Sequence, residues 1–122
     1  MKSIAVIGAS NNKEKFGNKC VRAYKSKDYI VFPVNPKEQE IEGLKCFKNI
    51  TEIPEPIDIV SLYLKPEITK NIINDIISVK PKLIYFNPGT EDEEIINTLK
   101  ETDIEVKKEC SIVAIEINPD EL

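Results

Sequence analysis

Residues 3–34 read SIAVIGASNNKEKFGNKCVRAYKSKDYIVFPV, and this stretch sets the fold class. Between Ser3 and Gly8, the residues Ile4, Ala5, Val6 and Ile7 form an uninterrupted apolar run. Strands buried on both faces of a parallel sheet have that pattern, whereas a half-buried strand alternates. A loop follows to Gly17. From Asn18 to Lys27 the residues Cys20, Val21, Ala23 and Tyr24 recur at helical spacing, and Tyr29 to Val34 supplies a second apolar strand. Strand, helix and strand together make a βαβ unit.

Working outward, Asn35 to Pro56 carries three prolines and many charges, with short apolar pieces on either side of Gly43. It reads as a long connection holding a small turn or ribbon. Ile57 to Leu64 is a third strand. Pro66 suits the first position of a helix, where a missing N–H costs nothing, and Ile68, Ile72, Ile73, Ile76 and Ile77 mark one face of it. Pro81 ends that helix, and Leu83 to Phe86 is a fourth strand running into Asn87, Pro88 and Gly89. Thr90 and Glu93 fit a capping box, the acids from Glu91 to Glu94 complement a helix dipole, and Ile95, Ile96 and Leu99 give the buried face. Ile104 to Val106 is a short fifth strand. In the 108–122 tail, Ile112 to Ile117 is compatible with an extra strand, a turn of helix or a packed tail.

These elements predict an α/β protein: one Rossmann-like domain over residues 1–122, three layers in α/β/α order, with a mostly parallel five-stranded sheet in the order 3-2-1-4-5. At 122 residues the chain has the size of one domain, with no room for a second catalytic one. Hydrophobic residues at 41% and charged residues at 31% are ordinary for a globular protein. No apolar run reaches about 18 residues, and Lys2 leads directly into the first strand, so the expectation is a cytoplasmic protein without a membrane partner.

Composition also narrows the chemistry. The chain has no histidine, which excludes Ser-His and Cys-His nucleophile systems, imidazole metal sites and phosphohistidine. Cys20, Cys46 and Cys110 are far apart and include no CxxC pair, which argues against a zinc site or a disulfide framework. Residues 1–48 hold ten Lys and Arg against five Asp and Glu, while the remainder holds seven against sixteen, so an anion is better received by the first part. The basic residues form no dense cluster and the net charge is -4, which excludes a nucleic-acid surface.

In a sheet of this kind ligands gather beyond the carboxyl ends of the strands, at the switch point between the first and fourth strands. Four segments meet there: Gly8-Ala9-Ser10 through Gly17, Asn35-Pro36-Lys37, Tyr63-Leu64-Lys65-Pro66 and Phe86-Asn87-Pro88-Gly89. Gly8 lets backbone approach a ligand, Ser10 offers a hydroxyl, and the helix N-terminus beyond presents N–H groups to a diphosphate. Its spacing is neither GxGxxG nor the P-loop pattern. An NAD-binding domain places an acid near the end of the second strand to hold the ribose hydroxyls. Here Asn35-Pro36-Lys37 stands instead, and Lys37 can offer an ammonium to a ribose phosphate such as that of coenzyme A or NADP.

Gly8-Ala9-Ser10, Val34-Asn35-Pro36-Lys37, the run Pro54 to Val60, Lys65-Pro66-Glu67 and the late Cys110 together resemble the small stand-alone CoA-binding proteins, over nearly the whole chain. The domain is also similar to the N-terminal part of succinyl-CoA synthetase α subunits and of ADP-forming acyl-CoA synthetases. The resemblance implies a protein that binds coenzyme A or an acyl-CoA and performs no catalysis of its own. Gly8, Ala9, Ser10 and Gly17 would lie against the diphosphate, and Asn35, Pro36 and Lys37 would receive the adenosine end with its 3′-phosphate. Tyr63, Lys65 and Pro66 would flank adenine and ribose, and Phe86, Asn87, Pro88 and Gly89 would line the pantetheine path. The family often carries Arg-Arg-Pro or a similar stretch where this chain has Tyr63-Leu64-Lys65-Pro66, and Gln-Leu-Gly at Asn87-Pro88-Gly89.

Plainer readings stand beside these. Tyr63 also suits a strand-end residue packed on the sheet, Phe86 a core residue, and Cys110 or Cys46 either a buried thiol or a partner for the thiol of coenzyme A. The alternatives in function are the detached CoA-binding subunit of an acyl-CoA synthetase and an NAD(P)-binding redox regulator. The expected partners are a small-molecule nucleotide and either a second copy in a homodimer or an acyl-CoA-handling chain.

Overall fold

The computed structural model describes residues 2–122. Its elements are β1 (Ser3–Ile7), α1 (Phe16–Ser26), β2 (Ile30–Val34), β3 (Glu40–Ile41), β4 (Leu44–Lys45), β5 (Ile59–Leu62), α2 (Pro66–Ser78), β6 (Leu83–Phe86), α3 (Glu93–Leu99) and β7 (Glu105–Lys107). Short 3₁₀ turns lie at Ile50–Glu52, Val113–Ile115 and Pro119–Glu121. No helix among the described residues is long and apolar enough to cross a membrane.

Five strands form one parallel sheet in the order β2-β1-β5-β6-β7. The Rossmann-like three-layer reading therefore holds, but the expected order 3-2-1-4-5 does not. The third long strand, β5, pairs with β1 through Ile4↔Ile59 to Ile7↔Leu62 and does not pair with β2. Two physical facts account for this. Pro33 in β2 has no N–H to give, and proline is confined to sheet edges. The outer edge of β2 is also already occupied, because Phe47 donates its N–H to the Pro33 carbonyl at 2.9 Å and accepts from Asn35 N at 2.9 Å. Every residue of β5 is buried, as a central strand requires, whereas Ile30 on β2 is 40% exposed.

The long connection after β2 contains the ribbon its glycine implied. Strands β3 and β4 pair antiparallel across Glu42 and Gly43, both at positive φ (51° and 77°), which matches the twist of a tight hairpin. The connection then ends in the 3₁₀ turn at Ile50, capped by Asn49 Oδ1 accepting from Thr51 N.

Side chains on the two faces of the sheet build two cores. On one face Ala5, Ile7, Val60, Leu62, Ile84 and Phe86 pack under Ile73 and Ile76 of α2 and Ile95, Ile96 and Leu99 of α3. On the other, Ile4, Val6, Ile59 and Tyr85 pack under Cys20, Val21, Ala23 and Tyr24 of α1 and under Ile112. Of the alternatives for the tail, the extra strand does not form: the segment is a packed tail with a turn of 3₁₀ helix at Val113–Ile115, and it buries Ile112 completely. Pro66 opens α2 as expected. The capping box does not form at Thr90. Thr90 is buried with its hydroxyl on Asn87 O, and Asp92 caps α3 by accepting from Ile95 N at 3.1 Å. Asp92 is the residue adjoining the helix, so its short carboxylate reaches the open amide where Thr90 is too early.

Ile76 is fully buried and Val113 is 57% exposed. Urea unfolding should show Ile76→Ala costing about 2–5 kcal/mol, while Val113→Ala changes stability by under about 0.5 kcal/mol.

Candidate functional site

Because all five strands run the same way, the helix N-termini and the loops before them collect at one edge of the sheet. Gly8 follows β1 at φ +93° and donates its N–H to Val34 O at 3.1 Å. Tyr63 follows β5 and donates its N–H to Ile7 O at 2.9 Å. A Cβ on Gly8 would stand 2.9 Å from the Tyr63 carbonyl oxygen, and one on Gly17 would collide with the Gly8 carbonyl oxygen. Glycine at 17 lets the first turn of α1 rest on the end of β1.

Side chains then fix the loop from Ser10 to Lys15. The buried Asn18 donates to Ser10 O at 2.9 Å. Arg22, one helical turn on, donates its Nε–H to Asn18 Oδ1 at 2.7 Å and an Nη2–H to Lys13 O at 2.9 Å. Ser10 Oγ accepts from Asn12 N at 3.0 Å, an arrangement that leaves its hydroxyl proton for a ligand. Asn35 joins this loop to the end of β2, its amide donating to Ala9 O at 2.8 Å while its Oδ1 accepts from Lys37 N at 2.8 Å.

The result is a cleft of about 680 Å³ over the ends of β1, β5 and β6. Gly8, Ala9, Ser10, Gly17, Asn35, Tyr63, Lys65, Pro88 and Gly89 line it, which brings nine of the predicted residues together. Pro36 joins Gly8 and Asn35 in lining a second, apolar cavity of about 300 Å³ beside it, with Ile7, Val34, Lys48, Asn49, Ile50, Leu64, Ile68 and Ile72. The two cavities share Gly8, Asn35 and Leu64.

Electrostatics distinguish the helix ends. Lys15 and Lys65 occupy the N-cap positions of α1 and α2, and neither helix receives a side-chain cap. The first turn of α1 has no acid and that of α2 has one, Glu67. By contrast α3 is capped by Asp92 and followed by Glu93 and Glu94. Open amides, the positive end of the helix dipole and a nearby lysine make the first two ends receptive to an anion, and the acids of α3 satisfy its own end.

Four predicted residues sit elsewhere. Lys37 is exposed and lines neither cavity, and Pro66 is the first residue of α2 behind Lys65. Phe86 is fully buried in the core under α2 and α3, so it does not line a pantetheine path. Asn87 is also turned inward, which corrects its assignment to that path. Its amide donates to Ser61 Oγ at 2.9 Å and Leu62 O at 2.8 Å, and its Oδ1 accepts from Ser111 N at 2.9 Å. A buried amide needs such partners, and here they fasten the tail to the sheet.

The same polar cluster holds the buried thiol and two tyrosines. Tyr63 Oη lies 3.2 Å from Ser111 Oγ, Tyr24 Oη donates to Ser111 O at 2.6 Å, and Cys20 Sγ is 3.7 Å from Ser61 Oγ. Burial raises the pKa of Cys20, Tyr24 and Tyr63 and also that of Cys46, so these groups are neutral near pH 7. Cys110 is half-buried and lines neither cavity.

Reading the sequence put Glu14, Lys15, Phe16 and Leu64 in segments at this edge without giving them a role, and missed Thr90 in the cleft and Lys48, Asn49, Ile68 and Ile72 in the apolar cavity. The sequence reading also gave Arg22 no role. Its place four residues after Asn18 on one helix face was the available signal.

Comparison with known proteins identifies the family. Residues 2–116 match the family model of a CoA binding domain. The chain is 29% identical over 100 residues to YneT of Bacillus subtilis (strain 168), covering 82% of this chain and 74% of that protein. It is 30% identical over 74 residues to the ADP-forming acetate--CoA ligase of Methanocaldococcus jannaschii, covering 61% of this chain but only 10% of the ligase. A solved structure of a conserved hypothetical protein from Pyrococcus furiosus superposes with a TM-score of 0.84 at 32% identity, covering 96% of this chain and 100% of the other.

The geometry at Gly17 has a measurable consequence. Gly17→Ala should lower stability in urea unfolding by about 1–3 kcal/mol, because the added methyl has only backbone to displace.

Proposed function

The chain belongs to the CoA-binding domain family, and from that premise we propose that it holds coenzyme A or an acyl-CoA across the two joined cavities, as a binding module without catalysis of its own. The diphosphate lies on the turn formed by Gly8, Ala9, Ser10 and Gly17, facing the open N-terminus of α1. The adenine enters the apolar cavity past Asn35 and Pro36, and its ribose phosphate faces the rim of that cavity. Tyr63 and Lys65, with Pro66 behind them, flank the path between base and diphosphate. The pantetheine arm leaves along Pro88 and Gly89.

The observation that carries this reading is the contiguity of the cavities. The cleft that faces the open helix ends adjoins an apolar pocket, and the two share Gly8, Asn35 and Leu64 as walls. A ligand that joins a diphosphate to a flat apolar base matches that sequence of environments. Asn35 stands at the end of β2, and its side chain is engaged with Ala9 O and Lys37 N, so no carboxylate is offered there to paired ribose hydroxyls. That disfavours NAD.

A second reading follows from the ligase match: the chain serves as the detached CoA-binding part of an acyl-CoA synthetase whose remaining domains lie on another chain. It predicts copurification with a larger partner and thioester synthesis only by the mixture. The same cleft would serve both readings.

Titration calorimetry with coenzyme A, NAD and NADP tests the primary reading. Coenzyme A should bind at least about tenfold more tightly than NAD, a gap of about 1.4 kcal/mol. Equal or tighter binding of NAD would contradict the assignment.

A further inference from the structure

Resting on the reading just given, we infer that Lys48, and not Lys37, is the cation that distinguishes coenzyme A from its form lacking the 3′-phosphate. Among the residues lining the apolar cavity, Lys48 is the one that carries a charge, and it stands there with Pro36 and Asn49. Lys37 follows Pro36 in sequence, but its backbone N–H is turned onto Asn35 Oδ1 and its exposed side chain borders neither cavity.

The backbone around Lys48 is held from both sides. Phe47 is tied to the end of β2, donating to Pro33 O and accepting from Asn35 N, both at 2.9 Å. Asn49 caps the following turn and donates its amide to Asp75 Oδ2 of α2 at 3.2 Å. Only the lysine side chain between these anchors is free to adjust, so its reach starts from a fixed point on the cavity rim.

The neighbouring charges sharpen the choice. Lys45 is engaged over the Phe47 ring, with Nζ 5.1 Å from its centroid. The ion pairs among the described residues use Lys70 and Lys82, which leaves Lys48 unpaired. Lys48 also borders a shallow groove containing Glu38 and Glu52, but neither acid forms an ion pair with it. An adenine seated against Leu64, Ile68 and Ile72 would place its ribose at the rim, where a phosphate on the ribose meets this ammonium. A lysine acts here as a mobile point charge, which suits a terminal phosphate.

Calorimetry of the wild-type chain, Lys48→Met and Lys37→Met with coenzyme A and dephospho-coenzyme A tests the inference. Methionine keeps the apolar stem, both positions are exposed, and circular dichroism verifies the fold of each variant. Wild type should prefer coenzyme A by about tenfold or more. Lys48→Met should erase that preference by weakening coenzyme A alone, and Lys37→Met should retain it. Retention of the preference by Lys48→Met, its loss in Lys37→Met, or equal wild-type affinity for the two ligands would overturn the assignment while leaving CoA binding intact. Failure of the wild-type chain to bind either ligand would overturn the underlying reading and this assignment together.

Discussion

The contact between the first turn of α1 and the end of β1 governs the architecture of the candidate site. Gly17 sits where any side chain would strike the Gly8 carbonyl oxygen, and Gly8 sits at positive φ against the Tyr63 carbonyl. This pair of close approaches brings the amino end of α1 over the sheet edge. A Cβ at position 17 would push α1 away from the end of β1, and one at position 8 would press on the Tyr63 carbonyl after β5, so either would reshape the edge where the backbone amides are exposed.

Two sets of polar side chains keep that edge in shape. Asn18 and Arg22 bind the carbonyls of Ser10 and Lys13, and Asn35 binds that of Ala9, so the turn after β1 is held from both the helix and the neighbouring strand. Beneath the cleft, Asn87, Ser61 and Ser111 lock the tail onto the sheet, and Tyr63 shares a hydrogen bond with Ser111 while its residue lines the cleft above. Among the described residues no buried side-chain nitrogen or oxygen lacks a partner. A site whose supports are satisfied in this way is preorganised, and a ligand need not supply the ordering energy itself.

The strongly periodic parts of this architecture were legible in the residues. The apolar runs of β1, β5 and β6 and the isoleucine stripe of α2 identify a doubly wound sheet, and the glycine turn after β1 marks the carboxyl edge as the place to look. Strand order was misread because periodicity says nothing of which side a crossover takes, although Pro33 carried the clue that β2 is an edge. The site was legible to the extent that backbone makes it. Phe86 and Asn87 lie inside because the chain leaving β6 stays covered on both faces through Asn87, and the cleft begins only at Pro88. Lys48 and Ile68 were given no place at the site for a different reason: they meet Pro36 around one cavity from the connection after β4 and from α2, a tertiary juxtaposition with no local pattern.

The account's central claim is that the backbone amides of the turn after β1 receive the diphosphate of coenzyme A. An amide-resolved nuclear magnetic resonance titration with coenzyme A reads those groups directly. The account predicts that the largest shifts fall on Ala9, Ser10, Phe16 and Gly17, with smaller ones at Leu64 and Lys65 and almost none along β7 and α3. Shifts concentrated on α3 or β7, with Ala9 to Gly17 unmoved at saturating ligand, would contradict it.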